Sequence, residues 1–501
     1  MTQIEKILVA NRGEIALRVM RSAKEMGIST VAVYSEIDRN APHVRFADEA
    51  VCIGESPSSE SYLRGDKIIE ICKNRNVDAI HPGYGFLSEN ADFARKVEEA
   101  GVIFIGPSAR SIKIMGDKLA AKNAVSVFDI PMVPGINKPV TDVAEAKKTA
   151  NEIGYPVLIK ASAGGGGTGM RVVERENELQ EQMERAISEA KSAFGNGVVF
   201  LEKFITSPKH IEVQILADQH GNTIHLFERE CSIQRRHQKV IEEAPSSVFD
   251  DKKRQLIGET AIKVAQACEY YGTGTVEFIV DENLDFFFLE MNTRLQVEHC
   301  VTEEITGIDL VKEQIKIAEG KALDMKQSDL SIRGHAIECR IYAENPEDNF
   351  LPAIGTLNTY KRPQGPGIRV DDGFEEGMEI PIYYDPMIGK LIASGKDRNE
   401  AIARMTRAID EFNISGVQTT LSFCKFAINH QAFINGSFDT NFVKNFFSPE
   451  ATRVDSESLD EEKVATAIAL MLLTDTVSEQ KTKSDSKDRN GGKWKQRAYL
   501  D

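Results

Sequence analysis

Positive charge is in short supply in this chain of 501 residues, where 61 Lys and Arg face 77 Asp and Glu for a formal net charge of −16. Such a field repels nucleic acid backbones and acidic lipid surfaces, so neither is expected as a partner. Any local cluster of cations is then informative, because it is held against the average charge of the molecule. An anionic small ligand would explain such a cluster.

Paired cysteines and long apolar runs are also missing. The seven Cys are scattered without a C-x-x-C pair, and their odd number excludes complete pairing within the chain. The N-terminus reaches charged residues too soon for a secretory signal, and no run approaches the roughly 18 apolar residues of a membrane span. We therefore expect a cytoplasmic protein without membrane association, and the length favours roughly three domains.

The N-terminal third alternates short apolar strands with helices. Residues 6–10 and 29–34 have strand patterns, residues 14–26 have helical spacing, and two more helix–strand pairs follow up to residue 105. The turn after the first strand lacks the G-x-G-x-x-G of a dinucleotide site, so NAD is not indicated. The sequence predicts a doubly wound domain, with a boundary near Val133 where Pro and Gly punctuate the chain.

A glycine-rich loop, GGGGTG at residues 164–169, lies between two predicted strands at 155–160 and 170–173. A dinucleotide loop would need a helix immediately after it, and here a strand comes first. A glycine run between antiparallel strands forms a flap whose backbone N–H groups fold over phosphates, and Lys160 adds a charge at its base. The alternative is a hairpin tip without a ligand.

Residues 275–280 and 286–291 are apolar strands joined by a polar turn, which predicts a hairpin. A turn centred between Asn283 and Leu284 places Glu277 opposite Glu290. Opposed carboxylates repel unless a cation lies between them, and Mg²⁺ prefers such oxygen ligands. Counting in steps of two from Glu290 puts these polar residues on one face: Asn292, Arg294, Gln296 and Glu298. An ordinary amphipathic strand is the alternative.

The basic run RRHQK at residues 235–239 is a further candidate for an anion site, with a solvated charged face as the alternative. Together with the loop and the hairpin, it leads to a resemblance. The chain resembles the biotin carboxylases of the ATP-grasp superfamily from Lys6 to about Pro449. The shared motifs, in order, are ILVANRGEIA, HPGYGFLSEN, MGDK, KASAGGGG, ERECSIQRRHQK, FLEMNTRLQVEH and GHAIECRIYAE.

The resemblance implies an α/β and α+β multidomain fold. Its expected parts are a doubly wound N-terminal pre-ATP-grasp domain at residues 1–115 and an ATP-grasp domain at 116–330 with a glycine-rich lid at about 134–203. A biotin carboxylase C-terminal domain at 331–450 follows, and then a helix, a flexible linker and a terminal partner-docking segment at 451–501. The docking expectation depends on the apolar run at residues 464–473 and on Trp494, the only Trp.

The resemblance also implies roles for individual residues. ATP would be bound by Lys118, Lys160, Gly166, Gly167, Glu202, Lys203, Phe204, Ile205, His210, His237, Glu277 and Glu290. The metal ligands would be Glu277, Glu290 and Asn292. Bicarbonate would be bound by Lys239, Arg294, Gln296 and Val297. Glu298 would be the general base and Arg340 would stabilise the biotin enolate, which makes the catalytic set Glu298, Arg294, Arg340 and Lys239.

The implied activity is an ATP-dependent ligase that uses ATP, Mg²⁺ or Mn²⁺ and bicarbonate to carboxylate biotin through carboxyphosphate. The implied partners are a biotin carboxyl carrier protein and a carboxyltransferase subunit, in a homodimer or larger complex. Acetyl-CoA carboxylase of fatty acid biosynthesis, propionyl-CoA carboxylase and pyruvate carboxylase are such complexes, and the sequence does not choose among their acceptors. The biotin is expected on a separate carrier, since the chain lacks a Met-Lys-Met motif. The alternatives are another ATP-grasp carboxylate ligase or a regulatory nucleotide-binding subunit without turnover.

Two positions depart from the family pattern. Thr168 stands in the lid where members usually carry Arg or Lys, which removes a cation from that loop. Cys300 follows the Asn292 to His299 motif where Thr or Pro is common. Thr168 is the only support for the regulatory alternative.

Overall fold

The computed structural model describes residues 3–135, 138–140, 142–162 and 170–449. The chain forms two compact units, Met1–Ser448 and Pro449–Asp501, and all that follows concerns the first. Gly166, Gly167 and Thr168 of the predicted lid, and the predicted docking segment at 451–501, lie outside the described residues. Within the described part of the chain, no helix is both long and apolar enough to cross a membrane.

The N-terminal region is the predicted doubly wound layer. Five parallel strands have the order β3-β2-β1-β4-β5, and helices join them. The central strand β1 carries Ile7, Leu8 and Val9, all fully buried, as expected for a parallel strand covered on both faces. The elements are β1 Lys6–Val9, α1 Gly13–Glu25, β2 Ser29–Ser35, α2 Pro42–Phe46, β3 Glu49–Gly54, α3 Gly65–Arg75, β4 Ala79–His81, α4 Ala91–Glu99, β5 Ile103–Phe104 and α5 Ala109–Met115.

A small antiparallel sheet of order β7-β6-β8 follows, packed against two helices. Val157 and Ile159 of its central strand are fully buried under these helices. The two strands that flank the glycine-rich loop pair antiparallel, with Lys160 opposite Met170, as the sequence predicts. The elements are α6 Lys118–Val125, α7 Val143–Ile153, β6 Val157–Ala161, β7 Met170–Val173, α8 Leu179–Phe194 and β8 Val199–Lys203.

The remaining elements build the largest sheet and the C-terminal core. The first group is β9 Lys209–Ala217, β10 Thr223–Arg235, β11 Gln238–Ala244, α9 Asp251–Ala267, β12 Gly272–Val280, β13 Phe286–Asn292, α10 His299–Thr306 and α11 Leu310–Ala318. The second is β14 His335–Tyr342, β15 Glu344–Asn345, β16 Leu351–Pro352, β17 Thr359–Lys361, β18 Ile368–Asp372, β19 Met387–Gly395, α12 Arg398–Glu411, β20 Asn413–Ser415, α13 Leu421–Asn429, α14 Gln431–Ile434 and α15 Phe442–Phe446.

Eight antiparallel strands form one sheet in the order β13-β12-β9-β10-β11-β14-β19-β18. Strands β9 to β13 come from the predicted ATP-grasp domain, whereas β14, β18 and β19 come from the predicted C-terminal domain. The two predicted domains therefore share a continuous sheet, and residues far apart in sequence are held at fixed positions across it.

The β12–β13 hairpin has Glu277 opposite Glu290, as predicted, but its register near the turn differs from the prediction. Val280 pairs with Phe286 and Phe278 with Phe288, because the turn is centred on Asn283 and Leu284 adopts a left-handed conformation with φ 62°. A bulge between Glu277 and Phe278 then shifts the register by one residue and restores the predicted acidic pair.

The predicted strand through Glu298 is wrong in its length, because β13 ends at Asn292 and a turn begins at Val297. The alternation of faces nevertheless persists for a few residues beyond the strand. Leu295 is fully buried in the apolar core, while Arg294 and Gln296 point into a cavity.

Candidate functional site

A cavity of about 580 Å³ lies between the small sheet and the eight-stranded sheet. Every predicted site residue that the structure describes lines this cavity. The lining includes Lys118, Lys160, Glu202, Lys203, Phe204, Ile205, His210, His237, Lys239, Glu277, Glu290, Asn292, Arg294, Gln296, Val297, Glu298 and Arg340. The structure therefore brings together side chains from segments separated by more than two hundred residues.

One wall of the cavity carries a cluster of lysines around a buried carboxylate. Lys160 Nζ lies 2.6 Å from Glu202 Oε2, and Lys122 contacts the other oxygen of Glu202. Burial lowers the pKa of Lys160, and the neighbouring cations Lys122 and Lys118 lower it further. A cluster with more cations than anions is suited to bind phosphate oxygens, which would relieve the repulsion among the lysines.

The sequence interpretation did not include Lys122. Its Nζ is buried, and it lies one helical turn after Lys118 on α6. That i, i+4 spacing places the two lysines on one face of the helix, so the helical period was an available signal.

The opposite wall carries the acidic pair, whose two members have different surroundings. Glu277 Oε1 accepts hydrogen bonds of 2.8 Å from Lys239, Asn292 and Gln296. Burial would raise the pKa of Glu277, but Lys239 and His210 outweigh it, and the pKa falls well below the ordinary value. Glu277 is therefore a permanent anion in this network.

Glu290 lacks the hydrogen-bond donors that surround Glu277. Among the described residues, no side chain or backbone group donates a hydrogen bond to its carboxylate. Burial and the adjacent charge of Glu277 raise the pKa of Glu290. A divalent cation between Glu277 and Glu290 would supply the missing positive charge. Asn292, on the same strand as Glu290, offers an amide oxygen that accepts from Arg294 Nη2 at 3.1 Å. The donor set fits Mg²⁺ or Mn²⁺.

At the floor of the cavity, Glu298 is held between two cations. Lys239 Nζ donates to Glu298 Oε1 at 2.7 Å, and Arg340 Nη2 donates to Glu298 Oε2 at 2.9 Å. Burial raises the pKa of Glu298, but Lys239, Arg340 and Arg229 outweigh it and hold the pKa well below its usual range. The Glu298 carboxylate is therefore ionised, and its affinity for a proton is low while both cations contact it.

Each of the two cations has at least one further carboxylate partner. Lys239 also contacts Glu212 and Glu277, and Arg340 Nε donates to Glu242 at 2.6 Å. The two cations come from neighbouring strands β11 and β14, so the sheet fixes their separation.

The predicted anion run at residues 235–239 is divided by the fold. Arg236 and His237, both with positive φ, make the two-residue turn between β10 and β11. Arg235 is bound to Glu344 outside the cavity, whereas Lys239 points into it. Arg236, His237, Gln238 and Lys239 all line the cavity, so only Arg235 of the run lies outside it.

Three further charged residues support the site and were missed by sequence reasoning: Arg229, Glu212 and Glu89. Arg229 is fully buried and donates to Gln296 Oε1 at 2.8 Å and to Glu212. Glu89, from the HPGYGFLSEN segment, accepts from Arg294 Nε at 2.8 Å and thereby ties the N-terminal layer to the cavity. The motif containing Glu89 was recognised, but nothing in the sequence indicated its partner.

A second cavity of about 500 Å³ adjoins the first. The two share four lining residues, Gln238, Arg294, Val297 and Arg340. The rest of the second cavity comes from the N-terminal layer, with Arg12 and Tyr84, from Tyr342 of β14, and from the segment that carries Tyr383 and Tyr384. Two ligands bound in the two cavities would therefore meet at Arg340 and Arg294.

Family matches cover nearly all of the described chain. Residues 3–112 match "Biotin carboxylase, N-terminal domain", residues 117–326 match "Carbamoyl-phosphate synthase L chain, ATP binding domain", and residues 338–445 match "Biotin carboxylase C-terminal domain". Biotin carboxylase 1 of Bacillus subtilis is 53% identical over 444 residues, which cover 88% of this chain and 99% of the relative. The biotin carboxylase of a Nostoc species is 52% identical over 442 residues, 88% of this chain and 99% of the relative.

Solved structures agree with the sequence matches. The biotin carboxylase domain dimer of Hydrogenobacter thermophilus 2-oxoglutarate carboxylase, in complex with MgADP, ADP and bicarbonate, is 48% identical with a TM-score of 0.87, and the match covers 91% of this chain and 100% of that one. The multidomain fold, the ATP-grasp region and the C-terminal region thus all have counterparts of known structure, and the chain belongs to the biotin carboxylase family.

Proposed function

We propose that this chain is the biotin carboxylase subunit of a biotin-dependent carboxylase and carboxylates biotin with ATP and bicarbonate. The observation that carries the proposal is a single cavity with a lysine cluster, an acidic pair and the Lys239–Glu298–Arg340 network. These groups supply a phosphate site, a metal site and a base beside an oxyanion site.

The lysines Lys118 and Lys160 bind the phosphates of ATP, and the segment from Glu202 to Ile205 holds the adenine with His210 and His237. Gly166 and Gly167 contribute backbone N–H groups from the lid. A divalent ion held by Glu277, Glu290 and Asn292 would neutralise phosphate charge. Within this arrangement the γ-phosphate faces the floor of the cavity, where Glu298 lies.

Bicarbonate is held by Arg294, Lys239, Gln296 and the backbone of Val297. Its negative charge draws Lys239 away from Glu298, so the pKa of Glu298 rises towards a value useful for a general base. Glu298 then takes the proton of bicarbonate, and the bicarbonate oxygen attacks the γ-phosphorus. The products of this step are ADP and carboxyphosphate.

Biotin occupies the second cavity, where Arg340 is shared with the first. Carboxyphosphate breaks down to CO₂ and phosphate, and the phosphate takes the ureido proton of biotin. The guanidinium of Arg340 stabilises the resulting enolate, which attacks CO₂ to give carboxybiotin. Two adjoining cavities with a common cationic wall suit a reaction in which a small intermediate passes between two substrates.

We extend the proposal to the organisation of the chain. Residues 1–115, 116–330 and 331–450 are the pre-ATP-grasp, ATP-grasp and C-terminal domains, and 451–501 docks a partner. The partners are a biotin carboxyl carrier and a carboxyltransferase, and the enzyme is a dimer or part of a larger complex. Seven free cysteines are consistent with the reducing cytoplasm.

The test is ATP hydrolysis measured with and without each co-substrate. We expect ADP release that requires both bicarbonate and free biotin. Hydrolysis that depends on a different carboxylic acid would favour another ATP-grasp ligase, and ATP binding without any turnover would favour a regulatory role. Either result would refute the proposal.

A further inference from the structure

Four large apolar side chains are exposed on two neighbouring segments next to the second cavity. They are Leu351 at 51%, Ile354 at 69%, Ile382 at 72% and Tyr383 at 45% exposure. We call this set the mouth patch. Such a cluster of exposed apolar side chains is unusual on a protein surface that meets only water, and it indicates an interaction site.

Backbone hydrogen bonds hold the two segments side by side. Ala343 accepts from Ala353 N at 2.8 Å and donates its own N–H to Pro386 O at 2.8 Å, so both segments are bound to the same residue. Ile380 N donates to Gly355 O at 2.9 Å, which brings the chain near Ile354 beside the chain leading to Ile382. The patch is thus one surface on a fixed backbone.

The mouth-patch side chains are exposed because their neighbours in sequence already fill the core. Phe350 and Ile380, next to the patch in sequence, are 4% and 3% exposed and belong to the C-terminal core. The two segments therefore already contribute apolar residues to the interior, and the patch residues are the ones left outside. Nothing in the described part of the chain covers them.

The patch borders the second cavity directly. Tyr383 belongs to both, and its neighbours Tyr384 and Asp385 line the cavity. ATP and bicarbonate are small and bind in the first cavity, whereas protein-bound biotin must be brought to the second one by a macromolecule. Any domain that inserts biotin past Tyr383 comes to lie over Ile354 and Ile382.

We propose that the mouth patch is the docking surface for the biotinylated carrier domain. The inference rests on the proposed function and adds to it the surface on which the partner sits. A carrier with apolar side chains around its biotinyl lysine would cover Ile354 and Ile382 while the biotin occupies the cavity.

The experiment compares free biotin with a biotinylated carrier domain as substrates of the full chain. The variant is the double substitution Ile354→Ser and Ile382→Ser, neither residue lining either cavity. The control is Leu256→Ser on α9, an apolar side chain that is 51% exposed and also lies outside both cavities. Because apolar anchors at the centre of an interface dominate its affinity, we expect KM for the carrier to rise about tenfold or more.

Turnover of free biotin should be unchanged in the double variant, and the control should match the parent with both substrates. An unchanged KM for the carrier would overturn the proposal, as would equal losses with carrier and free biotin. A variant that changes from dimer to monomer in light scattering would assign the patch to a second copy of this chain.

Direct binding of the biotinylated carrier to parent and variant, measured without ATP, keeps the test independent of turnover. If the parent fails to turn over free biotin, the proposed function fails; if it succeeds and the carrier binds parent and variant equally, only the docking surface fails.

Discussion

Replacing Glu298 with Gln removes the proposed base while leaving its neighbours paired. Lys239 keeps Glu212 and Glu277, and Arg340 keeps Glu242, so no buried cation loses all of its carboxylate partners. The Gln amide keeps the size of the side chain and accepts one of the two hydrogen bonds. We therefore expect Glu298→Gln to fold and to bind ATP, whose lysine site lies on another wall.

The size of the expected effect follows from the role. Loss of a general base typically lowers a rate by about 10²–10⁴, which is about 3–5 kcal/mol in activation free energy. We expect a rate loss near the lower end of this range if bicarbonate bound by Arg294 still loses its proton to water. We expect a rate loss near the upper end if Lys239, released from Glu298, is also misplaced.

The assay is ADP release in the presence of bicarbonate and free biotin, with ATP affinity measured separately by nucleotide binding. Glu338→Gln is the matched control. Glu338 lies two residues from Arg340 on β14, is fully buried, and accepts no hydrogen bond from the described residues. Burial raises the pKa of Glu338 well above the ordinary value, which favours its uncharged form, and Gln has the size of that form. Near-normal turnover by Glu298→Gln, or an equal loss in both variants, would refute the reasoning.

Two other substitutions test the metal site and the coupling of the N-terminal layer to the sheet. Glu290→Gln removes a charge opposite Glu277, so activity should fall and excess Mg²⁺ should partly restore it; an unchanged Mg²⁺ dependence would contradict the site. Burial raises the pKa of Glu14 to about 7, with Lys390 3.5 Å away opposing the shift. The folded chain therefore binds this proton more tightly than the unfolded chain, and the parent should lose stability relative to Glu14→Gln as pH rises from about 5 to about 8. We take about 1.4 kcal/mol per pKa unit and about 2.1 cal/mol/K of unfolding entropy per residue. The difference in melting temperature between the parent and Glu14→Gln should then change by about 3 °C between these two pH values. A pH-independent difference would show that Glu14 does not titrate in this range.

The sequence was most informative where a local period decides which side chains share a face. Alternation along the chain separates Arg294 and Gln296 from Leu295 even after the strand has ended, because extended backbone keeps the period of two for a few residues. The alternation fails at Val297, which counting places on the apolar face and which lines the cavity because a turn begins there.

The register of the β12–β13 hairpin shows a second limit of prediction from sequence. The acidic pair Glu277 and Glu290 was predicted from an assumed turn centre, and the structure reaches the same pair through a shifted turn and a compensating bulge. The extra residue, Leu289, lies in the edge strand β13, while β12 pairs with β9 without any register shift. A count in steps of two assumes an unbroken ladder, so it does not contain such a bulge.

The residues that were missed are those whose role depends on pairings between distant segments. Glu212 faces Glu277 across β9 and β12, so Glu212, Glu277 and Glu290 form a row of carboxylates over three adjacent strands. No local pattern around Glu212 marks it as part of the site. Its function became visible only when the order of the strands was known.

The same row explains why residue type alone could not assign roles to the acids. Lys239, from a fourth segment, contacts Glu212, Glu277 and Glu298 but not Glu290. The pKa values of Glu277 and Glu298 are therefore lowered, while burial and the charge of Glu277 raise that of Glu290. Identical side chains thus differ in charge: Glu277 and Glu298 are held ionised, whereas Glu290, which Lys239 does not contact, is not. The difference arises from one ammonium group placed by the strand order, which no single stretch of sequence contains.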